Sequence, residues 1–213
     1  MILGITGGTG SGKTTLLKLI GQRGGMVLDC DEIYYALLNR DEALLQKIDA
    51  RFPGTVEAGC LQRKKLGAWV FADPAALQDL NAITHGAVRE EVRRRLESAP
   101  ALVGIDAIGL FESGLDSLCD VTVAVTAPRE TRIARLMARD GISMQYAAAR
   151  IDAQPSDGVF RDRCSYLLEN TGTPEEFRNK CLDFLNTIGI ISKNAKEGDH
   201  LCVTKNCGPL CWK

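Results

Sequence analysis

Four glycines within eight residues, closed by a lysine and a threonine, make Gly7-Gly8-Thr9-Gly10-Ser11-Gly12-Lys13-Thr14 a complete G-x-x-x-x-G-K-[ST] element. Backbone N–H groups can converge on a phosphate only where no side chain blocks them, and the glycines clear that space. A helix beginning near Lys13 would aim its partial positive end at the same phosphates. Lys13 is spaced to reach the β- and γ-phosphates, and the Thr14 hydroxyl to ligate Mg²⁺. The chemistry implied is binding of a nucleoside triphosphate.

Other chemistry-bearing residues are spread along the chain. Asp29-Cys30-Asp31 follows a short apolar run. A carboxylate there either caps the next helix, the preferred reading for Asp29, or accepts and orients the proton of an attacking hydroxyl, the preferred reading for Asp31. Asp106 closes the apolar run 101–105 in the position of an acid that holds Mg²⁺ directly or through water. Arg135 and Arg139 are four apart and share a helix face, suited to the charge that phosphoryl transfer concentrates on equatorial oxygens. Arg132 reads instead as part of a solvated face. Arg63-Lys64-Lys65 is a basic run that could bind a substrate's phosphates, Arg93-Arg94-Arg95 reads as a solvated face, and His85 as a hydrogen-bonded structural histidine.

These residues need a scaffold to bring them together. Strands are expected at 2–6, 26–28, 101–105 and 121–125, with a weaker one at 166–168, and helical patterns lie between them. Short, nearly continuous apolar strands alternating with helices predict a parallel sheet covered on both faces, with ligands at the carboxyl ends of the strands. The stretch from 31 to 97 reads as helical, without a convincing strand, and is expected to form a substrate-binding insertion. Asp73-Pro74 is a helix start within it. Further helices are expected at 128–139, 143–153 and 173–187, with Asp140-Gly141 as the hinge of a lid over about 135–160.

Composition narrows the function classes. The chain has 213 residues, 45% hydrophobic and 25% charged, and a net charge of −1, which gives no general attraction to nucleic acid or an anionic membrane. No apolar run reaches the roughly 20 residues needed to span a bilayer, and no secretory signal pattern opens the sequence, so a cytoplasmic location is expected. Of eight cysteines, Cys30, Cys60, Cys119, Cys164 and Cys181 are scattered as reduced thiols usually are. Cys202, Cys207 and Cys211 crowd the end near His200, either as a zinc or redox cluster or as part of a mobile tail over 191–213.

The chain resembles the dephospho-coenzyme A kinase family over roughly residues 1–188. The resemblance rests on Ile5–Thr15, Val27–Asp31, Leu61–Gly67, Val70–Pro74, Leu80–His85, Leu110–Gly114, Arg135–Gly141 and Arg150–Gln154. It implies a P-loop NTPase-type α/β fold with a helical substrate-binding insertion and a helical lid, in one domain over 1–190. It further implies ATP phosphates on Gly10, Ser11, Gly12, Lys13, Thr14 and Thr15, and Asp31 as catalytic acid/base. Arg135 and Arg139 would lie on the lid side, and Arg63 and His85 near the coenzyme A end. Dephospho-coenzyme A would be the acceptor, with transfer to its ribose 3′-hydroxyl. Two departures stand out: Gly86 follows the Thr84-His85 pair where the family has proline, and Ile108-Gly109 replaces a proline-leucine pair. Another small-molecule or nucleotide kinase on the same fold is the alternative, and a non-catalytic nucleotide-binding regulator a weaker one. A guanine-nucleotide switch is excluded, since Asn179-Lys180 runs into Cys181-Leu182 rather than Asn-Lys-x-Asp. Oligomeric state is not legible.

Overall fold

The structure is a computed structural model and describes residues 1–196. In chain order the elements are β1 (Ile2–Thr6), α1 (Lys13–Gln22), β2 (Met26–Asp29), α2 (Cys30–Arg40), α3 (Glu42–Arg51), β3 (Val56–Glu57), β4 (Cys60–Leu61), α4 (Arg63–Ala72) and α5 (Pro74–Leu96). They continue as β5 (Val103–Asp106), a 3₁₀ turn (Leu115–Leu118), β6 (Val121–Thr126), α6 (Arg129–Asp140), α7 (Met144–Asp152), α8 (Asp157–Arg163), β7 (Tyr166–Glu169) and α9 (Pro174–Lys196).

All five expected strands form, paired in parallel in the order β2-β5-β1-β6-β7. Alternation along β1 serves two faces. Leu3 and Ile5 pack with Leu16, Ile20, Val123, Phe177 and Phe184 under α1 and α9. Ile2 faces the opposite layer, where Leu28, Ile33, Val88, Val92 and Ile105 join α2 and α5 to the sheet. From β1 the chain turns toward β2, whereas from β5 it crosses to β6 on the other side of β1. A crevice therefore opens between the carboxyl ends of β1 and β5, where this sheet type binds ligands.

The segment between β2 and β5 holds helices α2 to α5 around a core of their own, with Leu44, Ile48, Phe52, Leu66 and Leu80 inside it. Asp73 caps α5, its carboxylate accepting from Ala75 N at 2.8 Å with Pro74 behind it, and the helix runs without a break through Gly86. One expectation is corrected here: the segment is not strand-free, because β3 and β4 form an antiparallel hairpin. Its turn places Ala58 and Gly59 at φ 49° and 74°, a two-residue connection of the type that matches strand twist.

Helices α6 and α7 share a small separate core of Ile133, Leu136, Ala147 and Ile151, with Gly141 at φ 65° ending α6. The final helix extends past the expected 187 to Lys196, and Cys202, Cys207, Cys211 and His200 lie outside the described residues. The five other cysteines are free thiols. None of the described helices is long and apolar enough to cross a membrane.

Candidate active site

The glycine-rich loop leaves β1 at Thr6 and delivers the chain to α1, and its glycines are needed sterically. Gly7, Gly10 and Gly12 have φ of 131°, 78° and 108°, a region L side chains rarely adopt. A Cβ on Gly7 would collide with the Val125 carbonyl, one on Gly8 with the Arg132 guanidinium, and one on Gly12 with the Asn170 amide. The loop is thus wedged between β6, α6 and the end of β7.

Its carbonyls are held from outside. Arg132 Nε donates to Thr9 O at 2.9 Å, and Arg135 Nη1 donates to Gly10 O at 3.1 Å and Ser11 O at 3.2 Å. Asn170 Nδ2 donates to Ser11 O at 2.8 Å. Because a trans peptide sets its N–H opposite its C=O, these contacts turn the Gly10 and Gly12 N–H groups to the inner side. Among the described residues neither has a protein acceptor. Together with the unpaired N–H groups of the first turn of α1, they form an anion cradle. Ser11 Oγ is buried without a partner. Thr14 is exposed at the mouth and Thr15, beside it in the same first turn, is half-buried.

Lys13 bends back over the loop, donating to Gly7 O at 2.9 Å and lying 3.8 Å from Asp106 Oδ1, an ion pair rather than a hydrogen bond. Asp106 stands opposite Ile5 in β1 and Asp29 in β2. Asp29 is spent as the N-cap of α2, accepting from Asp31 N at 2.9 Å and Glu32 N at 3.1 Å. Asp31 lies in the first turn of that helix. Asp106 thus pairs with the Lys13 ammonium, and Asp31 lies close enough to feel its charge. Burial pushes the Asp106 carboxyl up to about 6; Lys13 lowers it, while Asp29 and Asp31 raise it further. Asp31 is also raised, first by loss of water around its carboxyl and then by the charge of Asp29, with Lys13 opposing. Cys30, between them, is pushed up to about 12 by burial and these carboxylates, so its thiol stays protonated.

The donor set suits Mg²⁺. It offers hard oxygens from Thr14 and Asp106, and an excess of negative charge that a cation would relieve. No group of three or more His, Cys, Asp or Glu forms a ready-made cage among the described residues. An Mg²⁺ ion there would keep waters and take much of its coordination from substrate phosphates.

The arginines divide differently from their spacing. Arg132, expected on a solvated face, is 4% exposed. Its Nη2 donates to Gln154 Oε1 at 3.1 Å, which also accepts from Thr9 N at 2.8 Å, and its Nη1 lies 3.4 Å from Asp157. Arg135 sits on the loop carbonyls and on Asn170 Oδ1 at 3.3 Å. Arg139 is not brought to the loop: it pairs with Asp140 at 2.7 Å, as Arg150 does at 2.8 Å. Arg63 lies over the Tyr35 ring at 5.3 Å. His85 is half-buried in α5, one turn before Arg89, which donates to Ser117 Oγ at 3.1 Å. Arg93 and Arg94 are exposed, as expected, and pair with Glu90 and Glu91, while Arg95 is half-buried against Glu91. The sequence pattern puts Arg132 on a solvated face and does not single out Asn170; Gln154 carries a signal only as the end of the Arg150–Gln154 motif.

A pocket of about 450 Å³ opens beside the loop between β7 and α9, lined by Glu169, Thr171, Phe177 and Lys180 among others. Phe177 and Asn170 are the side chains nearest Gly12.

The family profile described as dephospho-CoA kinase matches residues 1–176. A dephospho-CoA kinase of Anaeromyxobacter dehalogenans is 40% identical over 185 residues, covering 84% of this chain and 88% of the relative. Among solved structures, TT1252 from Thermus thermophilus superposes with a TM-score of 0.74 at 36% identity, covering 88% of this chain and 96% of that one. The dephospho-CoA kinase from Campylobacter jejuni superposes with a TM-score of 0.61 at 25% identity and the same coverages.

Proposed function

This chain belongs to the dephospho-CoA kinase family, and we propose how its residues carry out that family's ATP-dependent phosphorylation of dephospho-CoA. The observation that carries the proposal is the Lys13–Asp106 ion pair, with Asp31 close enough to feel the Lys13 charge, beside a loop with inward amides. A triphosphate donor enters that loop through its phosphates, held by the N–H groups of Gly10, Gly12 and α1 and by Lys13. Its nucleoside end extends past Gly12 toward the pocket lined by Phe177 and Lys180.

The acceptor is the ribose 3′-hydroxyl. Its oxygen forms a bond to the γ-phosphorus while the bond from that phosphorus to the β,γ-bridging oxygen breaks, releasing ADP. Asp31 receives the hydroxyl proton, a role its raised pKa favours because a more basic carboxylate is the better acceptor. Lys13 leaves Asp106 to meet the phosphates as charge develops. Thr14 and Asp106 would hold Mg²⁺, which supplies neutralisation of the β- and γ-phosphate oxygens. The helices between β2 and β5 form the acceptor side, with Arg63 and His85 at the coenzyme A end. The segment from about 135 to 160 is the lid, and Arg139 and Arg150 reach the site only when it closes. A single domain over 1–190 and a cytoplasmic setting, consistent with free thiols, complete the reading.

ATP consumption with dephospho-CoA, measured beside a panel of nucleoside monophosphates, tests the proposal. Turnover with dephospho-CoA alone, stopped by chelation and restored by Mg²⁺, is expected. Turnover with a monophosphate and none with dephospho-CoA would overturn it.

A further inference from the structure

Arg132 is the most deeply buried arginine among the described residues, and it touches no reacting group in the chemistry above. It is 4% exposed, and burial lowers its pKa against the pull of Asp157. A guanidinium this desolvated is tolerated only where hydrogen bonds compensate it. Here they run to Thr9 O, Gln154 Oε1 and Asp157. The packing is equally specific. The Arg132 head fills the volume a side chain at Gly8 would need, and the Arg132 backbone carbonyl lies 3.0 Å from where a Cβ at Gly10 would stand. Both glycines therefore serve this contact as well as any phosphate.

The contact fixes one peptide plane. With Thr9 C=O turned to Arg132 and Thr9 N–H bonded to Gln154, the loop's outer rim is held at both ends of one residue. The next N–H, that of Gly10, must then face the cradle. Arg132 also joins three elements at one atom cluster, since Gln154 follows α7 and Asp157 opens α8. The loop is thereby braced against the helices next to it rather than by its own hydrogen bonds, of which Ser11 N to Gly8 O at 3.2 Å is the one that closes its turn.

We infer that Arg132 is a positioning residue for the donor phosphates: from outside the cradle, together with Gln154, it sets the peptide orientation that lets the loop bind a triphosphate. This rests on the reading that the loop holds ATP. The role differs from that of an arginine that touches the transferring group, because Arg132 faces the loop's carbonyl side.

The test is steady-state kinetics of Arg132→Ala, Arg132→Lys and Gln154→Ala against the parent, with thermal unfolding of each. In Arg132→Ala the KM for ATP is expected to rise about ten-fold or more, with the KM for dephospho-CoA within two-fold. Arg132→Lys should recover part of that loss, since an ammonium can keep Thr9 O but not the fork to Gln154 and Asp157. Should Arg132→Ala fail to fold, Gln154→Ala removes the other end of the same clamp and should show the same selective rise. A folded Arg132→Ala or Gln154→Ala enzyme whose KM for ATP stays within two-fold of the parent overturns the proposal, as does an equal rise in both KM values. Absence of ATP binding by the parent would instead defeat the reading of the loop.

Discussion

The Lys13 ammonium lies 3.8 Å from Asp106 Oδ1 while donating to the Gly7 carbonyl at 2.9 Å. The pair joins the strand end before the loop to the neighbouring strand end, so one cation balances both loop and carboxylates. Its side chains are 12% and 19% exposed, so the attraction is screened less than that of a surface ion pair. Lys13→Ala should leave the sheet intact and lower kcat by about 10²–10³-fold, the usual cost of losing one positioned donor. A kcat within a few-fold of the parent would show that the amides alone hold the phosphates.

Asp31→Asn keeps the size and the helix position but cannot take up a proton. The expected result is a fall in kcat of about 10²–10⁴-fold with the KM for ATP little changed. Asp29→Asn should behave differently. It retains a side-chain oxygen that can cap Asp31 N and Glu32 N, so its effect on kcat should be small. Equal losses in the two variants would count against the division of labour between them.

Asp106 also makes stability depend on pH. Its carboxyl moves from 3.8 to about 6 on folding. Between those values the folded protein keeps a proton that the unfolded chain has released, so stability falls as pH rises through that window and levels off above it. The full effect is on the order of 3 kcal/mol, at about 1.4 kcal/mol for each unit. In metal-free buffer, Asp106→Asn should lose this component and be more stable than the parent at pH about 7. Identical urea midpoints for the two proteins from pH about 4 to about 7 would contradict it.

Two glycine substitutions should have opposite signs. Gly12→Ala places a Cβ into the Asn170 amide at a φ of 108° and should impair both folding and ATP binding. Gly86 lies inside α5 with nothing within 4 Å of a Cβ, so Gly86→Ala should stabilise by about 0.5–1 kcal/mol. Thermal unfolding of both variants checks this, and a lower Tm for Gly86→Ala would be inconsistent with a regular helix there.

The sequence by itself determined what short-range pattern can carry. The eight-residue loop needs glycine at 7, 10 and 12 for its own positive-φ backbone, and five apolar runs with helices between them admit little besides a covered parallel sheet. Asp29 as a cap and Asp73-Pro74 as a helix start follow from one residue bonding to the next few. The hairpin at 56–61 escaped because two-residue strands have no periodicity, and Ala58 holds a positive φ without the Asn or Asp that signals such a turn. The arginines of α6 show what only the tertiary structure decided. Spacing said that Arg135 and Arg139 share a face; it could not say that the loop docks one turn earlier, against Arg132 and Arg135. Which side of a helix meets a segment more than a hundred residues away is set by how the sheet order seats β6 beside β1, so that the helix leaving β6 meets the loop leaving β1. That order is a property of the packed core, absent from any local stretch of the chain.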